Sequence, residues 1–309
     1  MTTAPRTRAS FDGLLGQALH GELGPDPRAC RISVAFTTVQ AARHDGRRSG
    51  YRNEVLSLRL GHAVGSCSVE PGSLPGSTVE DCAGSDVATL LAHPLLPVRV
   101  AALDAYLMDV SPHTPSRGAQ PVHIPAGSSL ERSQARASAV ADLLDVGPGG
   151  TVLVVGVVNS LLAELRSRSL TAIPCDLKGG TTEWGESIRT DALGEVGACD
   201  AVLASGMTLG NGTFELLRRS ALDHGKPLVM FAQTGSAVLP RFLGAGVAAV
   251  CAEPYPFFWL DGGPGTVHRY RAAESGTAPR AAESGTAPRA AGGGAGAVHG
   301  SRAADGGVS

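Results

Sequence analysis

The chain has 309 residues, enough for two domains of ordinary size, each with its own core. Its 26 basic and 28 acidic side chains leave a formal net charge of −2, so no global field favours nucleic acid or an anionic membrane. The basic residues are almost all arginine, Lys178 and Lys226 being the only lysines, and with abundant Ala, Gly and Pro this reads as the codon bias of a GC-rich genome.

Along the chain, Met1 to Ser10 carries arginines but no apolar core, so it does not read as a signal peptide. Phe11, Leu14, Leu15 and Leu19 keep a helical spacing. Residues 31–39 run like a strand, His44-Asp45-Gly46 is a turn, and residues 54–60 alternate with period two. Ser85 or Asp86 can cap a helix carrying Val87, Leu90 and Leu91; His93-Pro94 breaks it, and another helix follows over 95–108. Strands first and helices after predict an α+β domain over residues 11–110. Residues 111–127, rich in Pro, Ser and Gly, read as a connection.

Ser128 and Glu131 have the spacing of a capping box, which opens a helix through Leu144. Apolar strands are predicted over 151–156, 170–174, 201–204, 227–232 and 247–251, with helices between them, the clearest over 160–168 and 214–221. The longest apolar run, Thr151 to Val158, is too short to span a bilayer. Alternating β and α at this spacing predicts a doubly wound parallel sheet, Rossmann-like, over residues 128–270. From Ala272 the segment AAESGTAPR occurs twice in succession and a Gly/Ala tail runs to Ser309. Residues 271–309 lack apolar material to offset their ordering entropy and are expected to be disordered.

Chemistry is expected where the strands of a parallel sheet end, because loops converge there and helix N-termini offer unpaired N–H groups. Gly156, with Asn159 three residues on, follows the first such strand. A dinucleotide site wants more glycine there, and Val157 and Val158 would crowd a pyrophosphate. Asp176, at the end of the second strand, stands where a ribose-binding acid would fall. The third strand opens into Gly206, Met207, Thr208, Gly210, Asn211 and Thr213, a loop of permissive backbone and short polar groups; its alternative reading is an ordinary turn with Asn211 or Thr213 as helix cap. Thr234 and Ser236 follow the fourth. In the first domain, Arg99 is either a solvated helix arginine or an anion clamp. His93 and His224 read as helix caps. Trp184, Phe257, Phe258 and Trp259 suit core packing or an interface better than a pocket floor. The six cysteines show no C-x-x-C spacing and read as buried thiols; Cys67 and Cys82 with Glu70 and Asp81 make a soft metal site only if the fold gathers them.

Residues 149–269 resemble the Rossmann-like domain of the heavy-metal chelation family DUF364. The resemblance lies in the strand ending in glycine, the acid after the second strand, the loop Gly206-Met207-Thr208-Leu209-Gly210-Asn211-Gly212-Thr213, and the Thr234-Gly235-Ser236 turn. Upstream, Thr78 to Met108 is similar to the companion DUF4213 domain, with an enolase-N-terminal-like fold. Val157-Val158-Asn159 departs from the family's proline-containing turn, and Asp104 stands where asparagine is common. The resemblance implies a ligand site in the cleft between the domains and the handling of a metal ion or metal chelate. The expected protein is cytoplasmic, binds a small molecule without nucleic-acid or membrane partners, and has homo-oligomerisation open to it. Its ligand would be a metal-binding specialised metabolite. The alternative is an enzyme using S-adenosylmethionine or NAD at Gly156 and Asp176; no nucleophile–base pair is visible in the sequence.

Overall fold

The first helix, α1 (Phe11–Leu19), begins where Ser10 Oγ accepts the Gly13 amide at 3.1 Å. The computed structural model describes residues 9–43 and 50–273; the His44-Asp45-Gly46 turn and the repeats from Glu274 onward lie outside the described residues. After α1 comes an antiparallel meander of β1 (Ile32–Ala42), β2 (Tyr51–Leu60) and β3 (Ala63–Val69), in that order across the sheet. Strands are then followed by helices, as expected: α2 (Thr78–Cys82), α3 (Val87–Leu91) and α4 (Leu96–Val110). Asp86 caps α3 by accepting the Thr89 amide at 2.9 Å. The ring Nδ1 of His93 accepts the Leu95 amide at 3.1 Å, just before α4.

β3 was not expected, because its sequence AVGSCSV looks like a loop. Its small residues serve the helix above it: a Cβ on Gly65 would lie 1.9 Å from the Ala105 amide nitrogen and 2.5 Å from the Ala101 carbonyl oxygen. α4 therefore approaches β3 as closely as backbone allows.

The second sheet has seven strands in the order β4-β10-β9-β8-β7-β5-β6. In chain order, its elements are β4 (Gln120–Ile124), α5 (Ser129–Ala141), β5 (Thr151–Val155), α6 (Asn159–Ser167), β6 (Thr171–Cys175), α7 (Ala192–Glu195) and β7 (Ala201–Ser205). Then follow α8 (Met207–Gly210), α9 (Phe214–Asp223), β8 (Leu228–Ala232), β9 (Ala249–Ala252) and β10 (Gly265–Arg271). β6, β5, β7, β8 and β9 are mutually parallel, which is the doubly wound sheet expected. β10 joins β9 antiparallel and β4 joins β10, so the stretch read as a connection supplies an edge strand, where Pro121 is tolerated. The capping box of α5 is complete: Ser128 N donates to Glu131 Oε2 at 2.8 Å, and Glu131 N to Ser128 Oγ at 3.3 Å.

The apolar runs of the parallel strands follow from burial on both faces. Val152, Val154, Leu203, Val229 and Phe231 face the core that includes the buried sides of α5 and α6. Leu153, Val202, Ala204, Leu228 and Met230 belong to a core that continues through α9 into α1, β2, β3 and α4. Polar links run the same way: Phe11 N donates to Glu215 Oε1 at 2.7 Å, and Gly235 N to Ser66 O at 2.9 Å. Both sheets thus belong to one compact unit.

Candidate functional site

The parallel strand order places β5, with β6 on one side and β7 on the other, at the point where the winding reverses. That switch point is where open α/β sheets leave a crevice at their C-terminal edge. A cavity of about 510 Å³ occupies it. Gly156, Val157, Val158 and Asn159 line it after β5, Asp176 and Lys178 after β6, Ser205 and Met207 after β7, and Gln233 and Thr234 after β8. From the other layer come Arg52, Asn53 and Val55 of β2 and Ser68 and Glu70 at the end of β3. Gly156 has φ +88°, and a Cβ there would meet the Ser205 Cβ at 2.7 Å, so this position needs glycine.

Two smaller cavities continue from this one. A side pocket of about 190 Å³ shares Glu70, Gly156, Asp176, Ser205 and Met207 with it, and adds Thr208, Asn211 and Thr213 beside Leu177, Leu193 and Leu216. A third, of about 240 Å³, lies along Gly210, Asn211, Ser68 and Leu95. Met207 and Glu70 line all three. Lys178 Nζ meets Glu70 Oε2 at 3.1 Å, an ion pair joining the two layers across the cavity wall.

The predicted residues fall into three groups. Gly156, Asn159, Asp176, Met207 and Thr234 line the main cavity. Thr208, Asn211, Thr213 and Gly210 line only the smaller ones. Gly206, Ser236 and Arg99 line none of the three, Ser236 being 1 % exposed. Arg99 is half-buried on α4 with its Nε sealed from solvent and unpaired, so it is neither a freely solvated arginine nor part of these cavities.

The 206–213 segment differs most from its sequence reading. Met207–Gly210 is a short helical turn, α8, in which Met207 N donates to Ser205 Oγ at 3.2 Å and Leu209 N to Gly206 O at 3.1 Å; flanking it, Gly206 N donates to Phe231 O at 2.9 Å and Asn211 N to Met207 O at 3.1 Å. Asn211 Oδ1 accepts Thr213 N at 3.1 Å and Thr213 Oγ1 at 2.7 Å, which closes the turn before α9, and Thr213 makes no side-chain cap. The glycines answer to packing. A Cβ on Gly210 would lie 2.5 Å from Ser68 O and 2.6 Å from Cys67 Sγ, and one on Gly206 would lie 2.4 Å from Thr234 O.

Asp176 is likewise engaged by backbone. Its Oδ1 accepts the Lys178 amide at 3.0 Å and its Oδ2 the Val157 amide at 3.4 Å. The carboxylate staples the turn after β5. Asp104, on α4, is 1 % exposed and ties the layers together: its Oδ2 accepts Ser66 N at 2.9 Å and its Oδ1 accepts Ala237 N at 2.8 Å. Burial raises its carboxyl to about 7, and the amides it accepts oppose that rise.

Sequence reading missed three cationic residues of this lining, Arg52, Lys178 and Arg136, of which Arg136 is the buried one. It sits on the buried face of α5, 6 % exposed, and lines the main cavity beside Ser133 and Phe231. Its Nε donates to Glu253 Oε2 at 2.5 Å; the carboxylate of Glu253, just past β9, also accepts Gln233 Nε2 and the Phe258 amide, each at 3.0 Å. Arg132, one turn earlier, donates to the Phe258 and Asp261 carbonyls and fixes the loop that carries Phe257. The available signal was a helix whose apolar Ala137 and Val140 share a face with two arginines four residues apart.

Cys67 and Cys82 are buried, and burial pushes both thiols up, Cys82 to about 11. Among the described residues no group of three or more His, Cys, Asp or Glu could hold a metal ion, so these two are not gathered with Glu70 and Asp81 into a metal site. His224 caps α9, its Nδ1 lying 2.8 Å from Ser220 O. Trp184 stands partly exposed under the Arg166 guanidinium, 4.0 Å from its ring centroid. Among the described residues no helix is long and apolar enough to cross a membrane.

No protein-family model and no curated protein matches the sequence. Solved structures do match the fold. One is a protein of unknown function from the DUF364 family of Desulfitobacterium hafniense DCB-2, with a TM-score of 0.54 at 13 % identity over 83 % of this chain and 99 % of that one. A second DUF364 protein of unknown function, from Pyrococcus horikoshii, gives a TM-score of 0.48 at 13 % identity over 82 % of this chain and 97 % of that one. At this identity the likeness to the first is one of fold, and the chain, with its three-stranded antiparallel sheet and mostly parallel seven-stranded sheet, has the α/β fold of a DUF364 protein.

Proposed function

We propose that this protein binds a small metabolite in the cavity between its two sheets, and that the metabolite, not the protein, supplies any metal-chelating groups. The observation that carries the reading is the cavity of about 510 Å³ at the switch point, walled by strand ends of one sheet and by β2 and β3 of the other. Its size is that of a small-molecule site, and polar groups from separate elements converge on it. The alternative of a dinucleotide enzyme is less favoured, because Asp176 is held by two backbone amides.

Mass spectrometry of small molecules released from the purified full-length chain, with metal analysis of the same sample, tests this. A stoichiometric released compound is expected. Met207→Trp, which fills the wall shared by all three cavities, is expected to abolish it while circular dichroism stays native. A protein that releases nothing, or that retains the compound in the Met207→Trp variant, overturns the reading.

A further inference from the structure

Three observations in the cleft concern the chemistry of the ligand. The first is Arg136. Its Nε is held by buried Glu253, yet neither Nη nitrogen has a hydrogen-bond partner among the described residues, and the side chain lines the cavity. A guanidinium fixed on one edge and unpaired on the other is suited to a planar or tetrahedral oxyanion. The second is α6, nine residues long, which opens against the same cavity through Val157, Val158 and Asn159 with no side-chain cap at Val158. Its Asn159 and Ser160 amides and its dipole favour negative charge there, whereas Leu161 N is bonded to Val158 O. The lining of that cavity carries Arg52, Arg136 and Lys178 against two acids, Glu70, which pairs with Lys178, and Asp176, which accepts backbone amides.

The third observation is apolar. Leu177, Leu193 and Leu216 are 60 %, 44 % and 57 % exposed and all line the side pocket, with buried Leu217 at the same wall. Large apolar side chains grouped at a pocket rim are the informative exception to surface polarity. This pocket shares five lining residues with the cavity that holds Arg136, so one molecule can occupy both.

We infer that the ligand is an amphiphilic anion, with a carboxylate or phosphate on Arg136 and the start of α6 and an apolar portion in the leucine-lined side pocket. This rests on the cleft reading above and adds the substrate class to it.

Isothermal titration of the full-length chain with octanoate, octyl phosphate, octyl glucoside and inorganic phosphate tests the inference. One of the two octyl anions is expected to bind at least about tenfold more tightly than both octyl glucoside and inorganic phosphate, and the tighter of the two identifies the head group. Because removing Arg136 alone strands buried Glu253, the head-group variant is the double exchange Arg136→Gln with Glu253→Gln. It is expected to weaken the octyl anion by at least about tenfold and to leave octyl glucoside unchanged. Leu193→Glu, at the exposed rim, is expected to weaken both octyl anions comparably and to leave inorganic phosphate unchanged. Octyl anions that bind no better than octyl glucoside, or that are indifferent to either variant, overturn the inference. If Met207→Trp loses the co-purified compound while the Arg136 and Leu193 variants keep it, the cleft reading stands and the amphiphile falls.

Discussion

The segment after β7 and the buried face of α5 approach the same cleft from opposite walls, and they differ in how they announce themselves. The 206–213 segment has three glycines, two threonines and an asparagine, the composition of a ligand loop. Most of its amides are nonetheless already bonded, Gly206 N to Phe231 O and others within the turn, and Gly206 and Gly210 are glycine because backbone from Thr234 and Ser68 leaves no room for a Cβ. α5 reads as an ordinary capped helix, yet it places a buried guanidinium on the cavity wall. Small residues record close approach, whether of a ligand or of the protein's own chain. A buried charge is a stronger sign of a site, because its desolvation must be offset by something in the structure.

The comparison can be broken at its most expensive point first. Arg136→Ala leaves the Glu253 carboxylate buried without its cationic partner, and we expect a loss of about 3–5 kcal/mol in urea denaturation. A loss under about 1 kcal/mol would make Arg136 an ordinary solvated arginine. Next is Gly210→Val. If packing against β3 is its role, overpacking should cost about 1–3 kcal/mol and lower the melting temperature; a variant of full stability that cannot bind would restore the ligand-loop reading. Asn211→Leu removes the acceptor that closes the turn before α9 and should cost about 1 kcal/mol in the same assay.

A separate effect is expected in pH dependence. The carboxyl of Asp104 lies at about 7 in the folded chain, against roughly 3.9 in an unfolded one. The folded state therefore holds the proton more tightly, so this group's contribution is fullest below about pH 4 and declines as pH rises through 7. Denaturation at pH 5 and pH 8 should show the decline in the native chain and a flatter profile for Asp104→Asn. A rise in stability over that interval, absent from the variant, would mean that the amides of Ser66 and Ala237 outweigh burial.

Most of the architecture could be read from periodicity. The five parallel strands, α5, α6, α9 and the capping box were found because each makes a strong local pattern, continuous apolar runs or a capped amphipathic stretch. The missed strands lack one. β3 is built of Gly, Ser and Cys so that α4 can lie on it; β4 contains Pro121 at a sheet edge; β10 carries Arg269 and Arg271, whose side chains reach back to Asp142 and Leu143. The site was legible as a place, since Gly156, Asn159, Asp176, Met207 and Thr234 do meet. It was not legible as chemistry. The pairing of Arg136 with Glu253 spans 117 residues, so the apolar helix face could hint that the arginine is buried but not name its partner.

The core that continues from the seven-stranded sheet into α1, β2, β3 and α4 bears on how this gene can be divided. The stretch 111–127 looks like a natural place to cut, but severing it would expose both halves of one apolar interior and leave Asp104 without its amide from Ala237. Neither fragment should stay soluble alone. Co-expressed, each supplies the surface the other lacks, so the two pieces should reassemble, and a reporter split at this point would signal only when the cleft has formed.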